Sequence, residues 1–256
     1  MEKKVYDIVY SLGYDCTCAR YMAKYHLRSY AGPFDWITLC DYKTRMEYIL
    51  NDFENFLNKE DLEFIPRPPE KDYLNPKMID FVNKRDKFEF YHDFPKGKTL
   101  DESFPEIKAK YDRRIKRFDE KLRSEKNILL LWLSHEVKVN NEELLKYSEK
   151  IMEKYGKKID FIYLENDKEK AKGKVEKEEI SPHIIKYKLR TVDPRVKGKI
   201  PLTAEACDKI FKGLHSRGQT KRMLADIGHR FWVKGLSLLI LYRPWRKAFK
   251  QRFYKI

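Results

Sequence analysis

The chain has 256 residues, of which 42% are hydrophobic and 14% aromatic, enough for a large buried core. This composition argues against a disordered chain, and no run approaches the roughly 20 apolar residues that a membrane-spanning helix needs. The formal net charge is +15, and much of the surplus lies near the end of the chain. Residues 230–256 contain eight Lys or Arg and no acidic residue, which suits phosphate-bearing partners such as anionic lipid.

Cysteine usage and the start of the chain bear on the compartment. Four cysteines follow neither a disulfide framework nor a metal-binding pattern: Cys16, Cys18, Cys40 and Cys207. No secretory signal precedes the first predicted strand, so we expect free thiols and a cytoplasmic location, with peripheral contact at the inner membrane face as the alternative. We expect no metal and no cofactor, because neither a ligand set nor a glycine-rich phosphate loop is present.

The first predicted unit is a strand, a tight turn and a helix. Residues 5–12 are rich in β-branched and aromatic residues and end at Gly13, which is typical of a strand. Apolar residues at helical spacing follow over 15–25. A Gly-Pro break then predicts a loop at 32–36.

Three amphipathic helices are predicted in the middle of the chain. Apolar residues at three- and four-residue spacing indicate helices over 39–57, 107–124 and 142–155. Residues 61–105 hold six prolines and predict an irregular insertion. The continuous apolar run at 127–133 is typical of a strand that is covered on both faces.

Strands and helices alternate through the second half of the chain. Strands are predicted over 159–164 and 184–189, with a charged surface segment over 167–179. This alternation favours a single α/β domain over residues 1–229, built on a mostly parallel sheet flanked by helices. Residues 230–256 are predicted to form a basic, amphipathic helical tail.

The turn from Gly13 to Cys16 is the first place to look for a site, because open α/β sheets bind ligands outside the carboxyl ends of their strands. Cys16 would lie in the first turn of the next helix, with Asp15 as its N-cap. The partial positive charge and free N–H groups of a helix N-terminus stabilise a thiolate, which predicts Cys16 as a nucleophile. The alternative is that Cys16, as we expect for Cys18, only packs as a small hydrophobic side chain.

A cysteine nucleophile needs a base, and two of the six histidines are candidates. His92 follows a short predicted strand over 87–91 and precedes Asp93, which we expect to orient it in a loop. His135 follows the apolar strand directly and is the alternative base. The other four have no comparable context: His26, His183, His215 and His229.

The loop at 32–36 reads Gly-Pro-Phe-Asp-Trp and is a candidate for substrate binding. In that interpretation Trp36 supplies an aromatic platform and Asp35 a carboxylate. Arg28 would pair with Asp35 or with an anionic substrate. The alternative is a packed loop in which the aromatic side chains fill core gaps and Asp35 caps a helix.

Four blocks of residues occur in order along the first half of the chain. They are Ser-Leu-Gly-x-x-Cys-x-x-Ala from Ser11, Pro-Phe-Asp-Trp from Pro33, the pair His92 and Asp93, and Tyr-x-Arg-Arg-x-x-Arg-Phe from Tyr111. Together they resemble a bacterial family of unknown function whose members are described as "putative papain-like cysteine peptidases". The resemblance covers roughly residues 5–135.

This resemblance implies Cys16 as nucleophile and a histidine later in the chain as base. Papain-like enzymes pair the helix of the nucleophile with an antiparallel β domain, whereas the order of elements here favours a parallel sheet. The family's description thus implies a cysteine peptidase, or a related hydrolase or acyl transferase that uses Cys16.

Two other functions stay open on the sequence. A sugar- or phosphate-transferring enzyme of bacterial surface polysaccharide assembly would use the same cleft without a covalent step, with 230–256 in contact with anionic membrane. A nucleic-acid binder would explain the charge, but it ranks last because no DNA- or RNA-binding motif is present. The substrate itself is not identified, although the basic character of the chain suits an anionic one.

Overall fold

The computed structural model describes residues 4–67, 76–192, 204–240 and 242–253. The chain divides into two compact units, Met1–Arg217 and Gly218–Ile256. The boundary predicted between residues 229 and 230 falls inside a continuous helix of the second unit. Each unit is described by itself below.

The larger unit is built on a five-stranded sheet in the order β2-β7-β8-β10-β9. Four strands are parallel: β2 (Ile8–Ser11), β7 (Ile128–Ser134), β8 (Asp160–Asn166) and β10 (Ile184–Leu189). All residues of β7 are buried, as expected for an inner strand with packing on both faces. The predicted mostly parallel α/β sheet is therefore confirmed.

Alternate side chains of each strand point to opposite faces of the sheet and enter two separate apolar cores. Helices pack on both cores, so both faces of the sheet are covered. One core packs against α2 (Tyr42–Leu50), α3 (Leu100–Ser124) and α4 (Asn141–Tyr155). The other packs against α1 (Thr17–Lys24) and α5 (Glu205–Gly213). A separate two-stranded parallel sheet, formed by β1 (Val5–Tyr6) and β11 (His215–Ser216), also belongs to this unit.

The segment predicted as a charged surface stretch contains an edge strand instead. β9 (Val175–Ser181) pairs antiparallel with β10. Lys188 lies opposite Glu176 and forms ion pairs with Glu176 and Glu178 at 3.8 and 3.2 Å. Cross-strand charge pairs of this kind suit an exposed edge, which is why the sequence here carries charge and not an apolar strand pattern.

The Pro-rich region 61–105 is more regular than the predicted irregular insertion. Its strands β4 (Leu62–Ile65), β5 (Met78–Asn83) and β6 (Glu89–Pro95) join β3 (Ile37–Thr38) in an antiparallel sheet in the order β3-β6-β5-β4. Pro66 follows β4 and Pro95 ends β6, so neither interrupts a ladder. Residues 68–75, which hold two of the prolines, lie outside the described residues.

The second unit is helical, as predicted for the basic tail. It consists of α6 (Gln219–Leu238) and α7 (Arg243–Phe253). Among the helices that the structure describes, none is both long enough and apolar enough to cross a membrane.

Candidate active site

The turn between β2 and α1 places Cys16 at the start of the helix. Cys16 occupies the N-cap position, and its side chain is only partly buried. Asp15 does not cap from the predicted position, but its Oδ1 accepts a hydrogen bond of 2.7 Å from the main-chain N–H of Thr17. Leu12 and Tyr14 donate main-chain hydrogen bonds to β7, which fixes the turn at the carboxyl edge of the sheet.

Gly13 is required by a close approach between α1 and the sheet. A Cβ atom built at Gly13 would overlap the Cβ of Cys18 and lie 3.4 Å from the carbonyl oxygen of Leu133. Cys18 is fully buried, with its thiol donating to the carbonyl of Leu131 at 3.5 Å. The contacts at Gly13 are therefore packing contacts. Cys18 packs in the core as a small side chain, as expected.

The thiol of Cys16 is held in its protonated form. Its pKa is raised to about 11, mainly by burial and also by the charge of Asp15, while Arg20 acts in the opposite direction. The expected stabilisation of a thiolate by the helix N-terminus is thus outweighed. Part of this loss is local, because the main-chain N–H of Thr17 already donates to Asp15 and is not available to a thiolate.

His92 lies within strand β6, not in the loop that was predicted to follow a shorter strand. Its partly buried ring contacts Trp36 and Tyr91, with ring centroids 5.3 and 4.8 Å apart. Its Nε2 is buried and has no hydrogen-bond partner among the residues that the structure describes. Burial lowers the pKa of His92 with Asp93 opposing, so the imidazole is in its neutral form at neutral pH.

An aromatic row with a cation at each end runs past His92. Arg28 lies 5.6 Å from the centroid of Trp36, and Arg67 lies 4.8 Å from that of Tyr91. Between these two cations, the ring of His92 contacts Trp36 on one side and Tyr91 on the other. Trp36 is partly exposed and meets His92 at an interplanar angle of 75°, and its role as a substrate platform stays a prediction.

Electrostatics link Cys16 to this row. Ionisation of Cys16 would add to the raised pKa of Tyr91, whose main cause is burial. Arg20 lowers the pKa of both Cys16 and His92. No hydrogen bond joins the Sγ of Cys16 to an imidazole within the described ranges, so proton transfer would need a side-chain movement or the arrival of a substrate.

Asp93 is engaged on the opposite side of β6 from His92. Its carboxylate accepts hydrogen bonds from Tyr111, at 2.6 Å, and from Lys110. Successive side chains of a strand point to opposite faces, so His92 meets the aromatic row while Asp93 meets α3. The structure does not bring Asp93 to His92, and the orienting role predicted for it has no supporting contact.

Asp35 and Arg28 form the pair that the sequence predicted. Asp35 is fully buried, and its Oδ2 accepts from the Nη1 of Arg28 at 3.0 Å. Burial raises the pKa of Asp35, and the nearby Arg28 partly offsets that shift. Asp35 precedes β3 and caps no helix. Asp35 has no contact with solvent, so we assign it a structural role in the loop. Arg28 remains partly exposed.

The alternative base lies at the carboxyl edge of the parallel sheet. His135 directly follows β7, and its Nδ1 lies 2.7 Å from the Oγ1 of Thr191. Its buried Nε2 lies 4.0 Å from the Oδ2 of Asp15. Burial lowers the pKa of His135, with Asp15 opposing. His135 is thus connected to Cys16 through the neighbouring residue Asp15.

The family model described as "Putative papain-like cysteine peptidase (DUF1796)" matches residues 7–164, which is more than half of the chain. The chain belongs to this family. The matched stretch contains all four blocks that carry the resemblance, as well as both candidate bases. No curated protein and no solved structure matches the chain.

One residue that holds the family's first two blocks together escaped the sequence reasoning. Arg45, on α2, is fully buried and donates hydrogen bonds of 3.0 to 3.4 Å to four main-chain carbonyls: those of Cys40, Phe34, Tyr14 and Ile37. It therefore ties the turn before Cys16 to the loop that carries Trp36. A weak signal was present, because Arg45 and the apolar Ile49 are four residues apart and share a helix face.

Arg20 was also missed, although it follows Cys16 by one helical turn. Among the described residues, no group of three or more His, Cys, Asp or Glu side chains is placed to bind a metal ion.

Proposed function

We propose that the protein is a cysteine-dependent hydrolase of the papain-like peptidase type, with Cys16 as nucleophile and His92 as base. The carrying observation is a partly exposed thiol at the start of α1, together with an imidazole on β6 whose buried Nε2 has no hydrogen-bond partner among the described residues. Membership of a family described as papain-like supports the assignment. So does the antiparallel sheet that carries His92, because papain-like enzymes pair the nucleophile's helix with an antiparallel β domain.

In the proposed reaction the thiol proton passes to the Nε2 of His92 as Sγ forms a bond to the acyl carbon of the substrate. The carbonyl oxygen becomes an oxyanion, and we propose that main-chain N–H groups in the first turn of α1, other than that of Thr17, donate to it. Collapse breaks the bond to the leaving amine, which takes the proton back from the imidazolium. Water then hydrolyses the thioester of Cys16 with His92 as base.

The charges around Cys16 favour an acyl substrate with a negative group near the reacting bond. Arg28 is paired with Asp35, and Arg67 with Asp80 at 2.5 Å. Arg20 has no carboxylate partner among the ion pairs of the described residues, and it is partly exposed. We propose that Arg20 contacts the anionic group of the substrate.

The test is hydrolysis of a library of fluorogenic acyl and peptidyl amides by matched variants. We expect Cys16→Ser and His92→Gln each to lose about 100-fold or more in kcat/KM. Cys40→Ala, which removes a buried thiol away from the turn, is the control and should keep its activity.

Two outcomes would revise the proposal. Full activity of Cys16→Ser would remove the covalent step, as the sugar- or phosphate-transferring alternative requires. A large loss in His135→Gln with none in His92→Gln would transfer the role of base to His135, beside Asp15.

A further inference from the structure

The helix α6 carries an apolar stripe that is open to solvent. Its members have exposed fractions between 40% and 70%: Met223, Leu224, Ile227, Phe231 and Leu238. At 3.6 residues per turn these side chains fall within an arc of about 100° on one side of the helix. Large apolar side chains gathered in this way on a surface mark an interaction site and not a random exposure.

Packing within the second unit leaves this stripe uncovered. α6 and α7 meet through Trp232 and Phe253, whose ring centroids are 6.1 Å apart, and through His229, whose Nε2 donates to the carbonyl of Phe253 at 2.8 Å. More apolar surface follows beyond the stripe, at Leu239 and Trp245, which are 77% and 70% exposed.

The same unit has a strong excess of positive charge. Residues 218–256 contain ten Lys or Arg and a single acid, Asp226, which forms an ion pair with Arg230 at 3.0 Å. The stripe therefore lies in a segment with a strong excess of positive charge. Two copies of such a surface would repel each other, whereas an anionic surface with an apolar interior would match both features.

We propose that residues 218–256 dock the protein on the surface of an anionic lipid bilayer. The α6 stripe would enter the boundary between headgroups and acyl chains, and the surrounding Lys and Arg would contact lipid phosphates. Exposed Trp245 suits the same boundary, where an indole keeps its N–H in contact with polar groups. This inference does not depend on the proposed cysteine chemistry.

The experiment is flotation of the full chain with phosphatidylcholine vesicles, with and without phosphatidylglycerol. We expect at least about tenfold more bound protein on the anionic vesicles, and a loss of binding as salt is raised. The double variant Phe231→Ser with Leu238→Ser should lose about tenfold or more in binding, because it removes the two most exposed members of the stripe. Arg243→Glu with Lys247→Glu should lose a comparable amount.

Matched controls lie in the other unit. Phe64 is 52% exposed on β4, so Phe64→Ser also removes an exposed aromatic ring, and this variant should bind as wild type. Lys108→Glu with Lys116→Glu makes the same charge change on α3 and should keep most of the binding. Circular dichroism checks that each variant remains folded.

Three results would overturn the proposal. The first is equal binding to neutral and anionic vesicles, or to neither. The second is unchanged vesicle binding by the folded Phe231/Leu238 variant. The third is self-association in sedimentation that this variant abolishes while vesicles fail to bind, which would make the stripe a contact between copies of the chain.

Discussion

At the scale of single residues, the state of Cys16 is decided by a competition between burial and local charge. Burial and Asp15 raise the pKa of the thiol, and Arg20 does not compensate. A pKa of about 11 leaves almost all of the thiol protonated at neutral pH. The proposed chemistry therefore starts from a thiol and a neutral imidazole, and it needs a base in the transition state, not a preformed thiolate.

This state predicts the pH dependence of alkylation. The rate of Cys16 labelling by iodoacetamide should rise about tenfold per pH unit from about pH 7 to about pH 10, because only the thiolate reacts. The site of labelling is read by mass spectrometry, and Cys16→Ala should remove the fast label. The three other cysteines are buried and serve as internal controls. A rate that levels off near neutral pH would show instead that the resting site holds a thiolate and an imidazolium.

At the scale of elements, α2 positions the site without contributing a reacting group. The guanidinium of Arg45 joins the β2–α1 turn to the loop before β3 by bonding to main-chain carbonyls of both. Burial lowers the pKa of Arg45, but its hydrogen bonds keep the charge solvated by carbonyl dipoles. The relative position of Cys16 and Trp36 thus depends on the side chain of Arg45, which takes no part in the proposed reaction.

Replacing this residue should destabilise the fold. Arg45→Met keeps the aliphatic stem but leaves several buried carbonyls without donors, so we expect the free energy of unfolding to fall by about 3 kcal/mol or more. Urea denaturation measures the change. Lys43→Met, at an exposed position of the same helix, is the control and should change stability by less than about 0.5 kcal/mol. Equal losses in the two variants would show that Arg45 is not a structural anchor.

At the scale of the whole molecule, the larger unit combines a parallel and an antiparallel sheet in one fold. The antiparallel sheet contributes Phe81, Phe90 and Phe94 to the core that also contains β7 and β8 side chains. This shared core holds the strand of His92 in the same unit as the helix of Cys16. Two imidazoles, those of His92 and His135, are buried in their neutral form as a result.

These imidazoles predict how stability changes with pH. Their pKa values are lowered on folding, so the unfolded chain binds more protons than the folded one once the pH drops below about 6.5. The free energy of unfolding should therefore be highest above about pH 6.5 and should fall between about pH 6.5 and pH 5. Urea titrations at several pH values measure this slope, and His135→Gln should flatten it. A stability that rises toward pH 5, or a slope unchanged in the variant, would contradict this account.

Much of the fold could be predicted from the residues themselves. The buried run at 127–133 and the alternation after it indicated a parallel sheet, and β7, β8 and β10 are in place. The ordered blocks from Ser11 to Phe118 were sufficient to indicate the family. Strand and helix preferences act over a few neighbouring residues, so a local pattern is enough to reveal them.

Other features were decided only when distant segments met. The pairing of Asp93 with Tyr111, the four carbonyls bonded by Arg45 and the contact of His92 with Trp36 each join residues from different elements. The raised pKa of the Cys16 thiol follows from burial by the folded chain, which opposes what the helix start alone would favour. Burial and charge are sums over everything that surrounds a group in space, and sequence spacing does not contain that sum.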